Sequence, residues 1–274
     1  VPLAGVLGWP IAHSRSPAMH EAAYAALGLS DWRYQRLPVP PDLLAETVRA
    51  LEGAGFVGAN VTIPHKEAAL ALADEATPET RTIGAANTLT FLDGAIRAAN
   101  TDAPGLLAAL SVAAGGDNPA RGARALVLGA GGSARAAVWA LRQAGAAEVM
   151  VWNRTPARAH ELGAALGARP VDGAQPADLL VNCTPVGLRE PDATFKDLPI
   201  DADTVSSFCY VIDLVYRDGD TPLVRAARTR GVTTVSGLDV LVHQGALSLE
   251  SWLGRRAPIG AMREGALRHP STPD

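Results

Sequence analysis

Apolar residues in this chain fall into short uninterrupted runs, and between the runs they recur at helical spacing. Short stretches rich in apolar and strand-forming residues predict strands at 3–7, 32–37, 56–63, 83–91, 96–99, 125–128, 148–152, 178–182, 209–215 and 232–235. Helical periodicity predicts helices from Pro17, over 42–51 and 67–73, from Asp102 to about Ala113, after Ser133, to Leu166, over 221–230, and from Gly237 to about Leu253. Asp93-Gly94 reads as a hairpin turn. Strands alternating with helices at this spacing predict an α/β fold. The stretch from Ala257 onward has no such pattern and reads as a fraying tail. With 274 residues the chain is long enough for two domains, and Gly115-Gly116-Asp117-Asn118-Pro119, within 114–119, reads as a linker between them.

One stretch has a specific chemical meaning. The apolar run 125–128 leads straight into Gly129-Ala130-Gly131-Gly132-Ser133-Ala134, and a helical pattern follows. Gly129 permits a tight turn, Gly131 lets backbone approach a pyrophosphate, and Ala134 lets the helix pack close to the strand. The helix N-terminus then offers unpaired N–H groups and a positive dipole end to an anion. The next strand ends at Asn153-Arg154-Thr155, about twenty residues on, where an NAD site carries an acid for the ribose 2′-hydroxyl. No acid stands there. Asn153 and Thr155 can bond a phosphate, and Arg154 and Arg158 supply cations whose forked donors suit its oxygens, which predicts NADP as the cofactor.

In the first part of the chain, polar side chains gather where strands end: Ser14 and Ser16 after the first, Asn60, Thr62 and Lys66 after the third. Ligands of α/β sheets collect beyond the carboxyl ends of strands. Ser16, before Pro17, is also a plausible helix cap; Ser14 has no such local role, and two hydroxyls at a helix mouth can grip a carboxylate. His13 and Arg15 read as exposed loop residues. Asp102 opens a helix and so has a capping role open to it. Of 24 basic residues only Lys66 and Lys196 are lysines. An arginine cannot release its proton inside a protein whereas an ammonium can, so a lysine kept at a strand end marks a transferable proton; Lys196, in an acidic loop, reads as a surface residue.

Composition narrows the partners. A net charge of −4 without any Lys/Arg block argues against nucleic acid, and no apolar run is long enough to span a bilayer. Two cysteines, Cys183 and Cys209, are too few for a disulfide framework, and no signal-peptide layout is visible, so a cytoplasmic enzyme of small molecules is expected, as a monomer or homodimer.

Taken in order, the motifs resemble the shikimate dehydrogenase family across nearly the whole chain. The resemblance rests on Gly8-Trp9-Pro10, His13-Ser14-Arg15-Ser16-Pro17, Asn60-Val61-Thr62-Ile63-Pro64-His65-Lys66, Gly84-Ala85-Ala86-Asn87-Thr88 and Asn100-Thr101-Asp102. It continues through the glycine stretch, Asn153-Arg154-Thr155, Asn182-Cys183-Thr184-Pro185-Val186-Gly187 and the span from Gly237 to Gln244. It implies a discontinuous substrate domain, 1–101 with 238–274, a Rossmann-like NADP domain, 102–237, and a substrate in the cleft between them. Ser14 and Ser16 are then expected to hold the shikimate carboxylate, with Tyr216 nearby. Asn60, Thr62, Asn87, Asp102 and Gln244 are expected to bond ring hydroxyls or orient their neighbours. Lys66 and Asp102 become the acid/base pair, Leu214 and Gly237 offer backbone groups to the nicotinamide, and Thr184 joins the cofactor set. Two positions depart from the family pattern: Pro78 stands where a cofactor-contacting acid is usual, and Val240 where a methionine is usual.

The implied reaction is reversible reduction of 3-dehydroshikimate by NADPH. Opposite charge favours the ammonium of a Lys–Asp pair, which suits a proton donor in the reducing direction. In reverse the lysine must be neutral, so oxidation should gain with rising pH. Three other readings stay open: a quinate/shikimate dehydrogenase of relaxed specificity, which an acid in place of Arg154 would favour; a folate-type dehydrogenase of similar plan, disfavoured by the paired serines; and a non-catalytic NADP sensor, disfavoured by Lys66 with Asp102.

Overall fold

The structure, a computed structural model, describes residues 1–268. Residues 269–274, the end of the expected substrate domain and of the tail, lie outside the described residues. The chain forms two compact units, Val1–Gly105 with Leu241–Asp274, and Leu106–Val240.

In the first unit, strands β1 (Leu3–Gly8), β2 (Arg33–Pro38), β3 (Phe56–Val61), β4 (Glu75–Ala76), β5 (Thr88–Leu92) and β6 (Ala95–Ala99) form a mixed sheet in the order β2-β1-β3-β5-β6-β4. β1 is parallel to both β2 and β3, whereas β5 runs antiparallel to β3 and β6. The β5–β6 hairpin turns at Asp93 and Gly94, both with positive φ (54° and 78°), the conformation that a two-residue turn between twisted strands requires. Helices α1 (Ser16–Ala26), α2 (Leu44–Ala50), α3 (Lys66–Ala71) and α4 (Pro78–Ile83) connect these strands. Buried Leu7, Val48, Ala59 and Leu89 lie in one core cluster on this sheet.

The second unit carries six parallel strands: β7 (Arg124–Leu128), β8 (Glu148–Trp152), β9 (Arg169–Pro170), β10 (Leu179–Asn182), β11 (Tyr210–Asp213) and β12 (Thr233–Ser236). Their order, β12-β11-β10-β7-β8-β9, is that of a doubly wound dinucleotide-binding sheet whose order reverses beside its first strand. Central β7 and β10 are apolar and buried on both faces, as parallel strands under helices must be. Helices α5 (Asp102–Ala113), α6 (Gly132–Gln143), α7 (Pro156–Leu166), α8 (Thr194–Asp197), α9 (Pro222–Thr229) and α10 (Gly237–Leu253) follow in chain order. The chain passes from the first unit to the second within α5 and returns within α10. Gly115 and Gly116 lie in the second unit and close α5: the Gly116 N–H donates to Ser111 O (2.8 Å) and the Gly115 N–H to Val112 O (3.2 Å).

Some local features differ from the sequence-based expectation. Residues 78–83 are helical up to Ile83, where a strand was expected to begin, because Thr77 caps the helix by accepting from the Thr80 N–H (3.2 Å), Pro78 opens it, and Gly84 closes it at φ 74°. The strand begins only at Thr88. Short β4 has too little apolar pattern to be read from sequence and exists by pairing with β6. The tail does not fray over the described residues. It folds into α11 (Ile259–Arg268), which buries Met262 and Ala266 and presents Gly265 so close to α1 that an added Cβ would lie 2.5 Å from Ala18 O. That packing also corrects the reading of Arg15: it is buried, and its Nη1 donates to Ala266 O (3.3 Å).

Candidate active site

In the first unit, Lys66 opens α3 and Asp102 opens α5, and Lys66 Nζ lies 2.6 Å from Asp102 Oδ2. Both side chains keep a small exposed fraction, 11% and 15%, so the pair is sheltered yet reachable. Asp102 is not used as a cap. Asn100 Oδ1 accepts the Ala103 N–H (3.1 Å) instead, which leaves both Asp102 oxygens for side chains.

Asn87 holds the second Asp102 oxygen: its Nδ2 donates to Asp102 Oδ1 and to Gln244 Oε1, each at 2.9 Å. Asn87 Oδ1 accepts in turn from the Thr101 N–H (2.6 Å). Behind these groups lies a buried layer absent from the sequence-based set. Ser248, one helical turn beyond Gln244 on α10, places Oγ 2.8 Å from Thr88 Oγ1, 3.1 Å from Thr101 Oγ1, and within reach of the Asn60 Nδ2 donor at 2.8 Å. Asn60 Oδ1 accepts from the Tyr34 hydroxyl at 2.8 Å. Polar residues this deep persist because each finds partners. The signal available in the sequence was position: Ser248 is four residues past Gln244, and Thr88 and Thr101 adjoin Asn87 and Asp102.

The serines stand at the first strand end. Ser14 and Ser16 are buried at 2% and 4% exposure. Ser16 is the first helical residue rather than the cap, and it is Ser14 Oγ that accepts the Ser16 N–H at 3.3 Å. Arg15 is the cap position and has no side-chain cap bond, so Ser14 rather than Ser16 supplies the one hydroxyl that meets a helix N–H, because the helix starts one residue earlier than its proline suggests. The Ser16 and Thr62 hydroxyls have no hydrogen-bond partner among the described residues. Ser14, Ser16, Asn60, Thr62, Lys66, Asn87, Asp102 and Gln244 all belong to this unit; Tyr216, expected beside the carboxylate, belongs to the other.

In the second unit, Gly129 has φ 109°, and a Cβ there would press on the Cys183 carbonyl carbon and oxygen, both at 3.3 Å. Around Gly131 the space is open within 4 Å, and α6 begins at the next residue. Ala134 is fully buried, which permits the close helix–strand packing. Ala130 belongs to the turn at the end of β7, and Gly132 and Ser133 are the first residues of α6. Asn153 Nδ2 donates to Thr155 O (2.9 Å), shaping an exposed turn that carries Arg154, with Arg158 exposed on α7. An open glycine turn, a helix N-terminus and a basic tip without acid fit a dinucleotide bearing a 2′-phosphate.

Two further turns are tied by Asp213. Its Oδ1 accepts from Asn182 Nδ2 (2.9 Å) and the Val215 N–H (3.1 Å), and its Oδ2 from Thr221 Oγ1 (2.6 Å). Burial pushes this carboxyl up to about 6 against the opposing effect of those donors. Asn182 Oδ1 meanwhile accepts from Thr184 Oγ1 at 2.7 Å. Gly237 is required by a close approach, since a Cβ would lie 2.4 Å from Leu214 O. Among the described residues no group of His, Cys, Asp or Glu could hold a metal ion, and no helix is long and apolar enough to cross a membrane.

Known proteins resemble this chain over nearly its whole length. Residues 6–89 match the shikimate dehydrogenase substrate binding domain, 113–181 the shikimate / quinate 5-dehydrogenase model, and 237–266 the shikimate 5′-dehydrogenase C-terminal domain. The chain is 47% identical over 269 residues to the shikimate dehydrogenase (NADP(+)) of Methylobacterium radiotolerans, covering 94% of this chain and 93% of that one. It is 44% identical over 278 residues to the enzyme of that name from Symbiobacterium thermophilum, covering 96% and 92%. Among solved structures, shikimate 5-dehydrogenase from Thermus thermophilus in complex with NADP(H) and shikimate superposes with a TM-score of 0.87 at 43% identity, covering 98% of this chain and 99% of that one.

Proposed function

Since the chain belongs to the shikimate dehydrogenase family, we propose that Lys66 and Asp102 carry the proton of its reaction and that the polar groups around them bind the substrate. The enzyme is an NADP-dependent oxidoreductase that interconverts 3-dehydroshikimate and shikimate. NADPH, when bound, supplies the hydride to the ring carbonyl.

The chain's own residues do the rest. As negative charge develops on the carbonyl oxygen, the Lys66 ammonium donates a proton to it. Asp102 holds that ammonium in place through Oδ2, while Asn87 holds Asp102 through Oδ1. Gln244, Asn60, Thr62 and Asn87 supply donors and acceptors for ring hydroxyls, and the Ser14 and Ser16 hydroxyls grip the carboxylate. Tyr216 adds a further contact to it. Gly129 to Ala134 and the α6 N-terminus receive the pyrophosphate, with Asn153, Arg154, Thr155 and Arg158 at the 2′-phosphate. Thr184 and the backbone of Leu214 and Gly237 serve the nicotinamide end. The substrate domain is taken as 1–101 with 238–274, and the cofactor domain as 102–237. Cys183 and Cys209, which form no disulfide among the described residues, suit a reducing cytoplasm, where the enzyme acts on small molecules as a monomer or homodimer.

The observation that carries this reading is the 2.6 Å Lys66–Asp102 contact, held by Asn87. Loss of NADPH absorbance on adding 3-dehydroshikimate tests it, with quinate plus NADP or NAD as the contrast. Turnover of 3-dehydroshikimate with NADPH, and little with quinate or NAD, is expected. No turnover, or preference for quinate with NAD, would contradict it.

A further inference from the structure

The two serines assigned to the substrate carboxylate are neutral, and both are buried. A carboxylate taken from water into a buried neutral site keeps its charge uncompensated at considerable cost. The loop's own cation does not meet that charge, because buried Arg15 donates to Ala266 O on α11. The neighbouring strand supplies another. Arg36, on β2 opposite Val6 of β1, sends two guanidinium donors to one acceptor, Ser14 O: Nη2 at 2.7 Å and Nε at 3.1 Å. Two donors on one carbonyl fix the peptide that carries Ser14 and place a permanent positive charge beside the serine pair. The remaining guanidinium nitrogen, Nη1, has no partner among the described residues.

We propose that Arg36 is the counter-charge of the carboxylate site, positioning Ser14 through its carbonyl and attracting the substrate's negative end. This rests on the substrate reading above. It assigns no part of the proton transfer to Arg36, so the effect belongs in substrate affinity rather than in kcat.

Arg36→Gln keeps an amide donor for the Ser14 carbonyl and removes the charge; Arg36→Lys keeps the charge and loses the fork. The measurements are KM for 3-dehydroshikimate, KM for NADPH, and binding of shikimate against its analogue bearing CH2OH in place of the carboxylate. For Arg36→Gln the KM for 3-dehydroshikimate should rise about ten-fold, as for loss of one charge-assisted contact, and less for Arg36→Lys. KM for NADPH and affinity for the hydroxymethyl analogue should stay near wild type. Wild-type KM for 3-dehydroshikimate should also rise with added salt, a readout independent of any variant's folding. Equal loss of both ligands in Arg36→Gln would make Arg36 a loop anchor only, and no loss of either, or a salt-independent wild-type KM, would make it a bystander; each overturns the proposal. Failure of the substrate reading looks different: wild-type enzyme would then not turn over 3-dehydroshikimate at all, and the proposal would fall with it.

Discussion

Lys66 Nζ stands 2.6 Å from Asp102 Oδ2, although the two residues open different helices 36 positions apart. The contact exists because Asn100 caps α5 in place of Asp102 and because Asn87 occupies the other carboxylate oxygen. A charge-assisted bond of this length fixes the ammonium in position. Removing either partner strands a half-buried charge, so variants of this pair must be checked for folding before their kinetics are read.

Replacing Ser14 and Ser16 together by Ala should weaken shikimate binding while leaving the hydroxymethyl analogue nearly unaffected. Thermal unfolding should move only slightly, since the cap-like bond lost is the single 3.3 Å contact from the Ser16 N–H to Ser14 Oγ. Equal loss of affinity for both ligands would assign the serines to the helix rather than to the carboxylate.

Arg154→Ala should raise the NADPH KM far more than the 3-dehydroshikimate KM. A charge-assisted phosphate contact is worth about 1.5–3 kcal/mol, or roughly ten-fold and upward in affinity. Steady-state kinetics with each substrate varied in turn measures it. Unchanged NADPH affinity, with NADH still poor, would mean that the 2′-phosphate has another partner.

His20 should make the enzyme acid-sensitive. Its ring is fully buried, stacks on Tyr34 with centroids 4.2 Å apart, and has no hydrogen-bond partner for either nitrogen among the described residues; burial lowers its pKa to about 3. The unfolded chain therefore binds the extra proton between about pH 6.5 and 3, and stability falls as pH drops through that window. At pH 5 the loss is on the order of 2 kcal/mol. In urea unfolding, His20→Phe should lose less stability than wild type between pH 7 and pH 5. Parallel losses in the two proteins would contradict this.

Asp213 acts in the opposite direction. Burial raises its pKa to about 6, so the folded state holds the proton more tightly and stability from this group is lost as pH rises from about 4 through 6. Asp213→Asn can still accept from the Val215 N–H and bond Thr221, without carrying a charge into the interior. Its stability should depend less on pH between 4 and 7 than that of the wild type, as measured by denaturant unfolding. A variant that follows the wild-type profile would place the titration elsewhere.

The α/β architecture was legible in the sequence because buried parallel strands read as unbroken apolar runs and the glycine turn sits between one such run and a helix. Elements that exist through tertiary contact were not. Strand β4 is two residues long, and α11 has a weak local pattern whose small residues matter only where Gly265 meets Ala18. Helix α4 carries ordinary start and stop signals in Thr77-Pro78 and Gly84, but the polar stretch Glu79-Thr80-Arg81-Thr82 between them gives no helical periodicity. Residues with unusual local positions, Lys66 and the paired serines, could be singled out from the sequence. Of the supporting layer, Thr88, Thr101 and Ser248 were marked only by their places beside Asn87, Asp102 and Gln244, and Tyr34 not at all, because a buried hydroxyl bonded to distant side chains looks in sequence like any surface hydroxyl.

The most direct test of the account is the single-turnover rate of 3-dehydroshikimate reduction by Lys66→Ala and Lys66→Arg, with substrate and NADPH binding measured on the same preparations. Proton donation by a positioned side chain is worth roughly 10²–10⁴-fold, so Lys66→Ala should lose that much in rate while both ligands still bind. Lys66→Arg keeps the charge beside Asp102 but cannot release its proton, and should be nearly as impaired. An arginine variant that keeps most of the wild-type rate would contradict the account, reducing Lys66 to a substrate anchor and moving the proton's source to Asp102 or water.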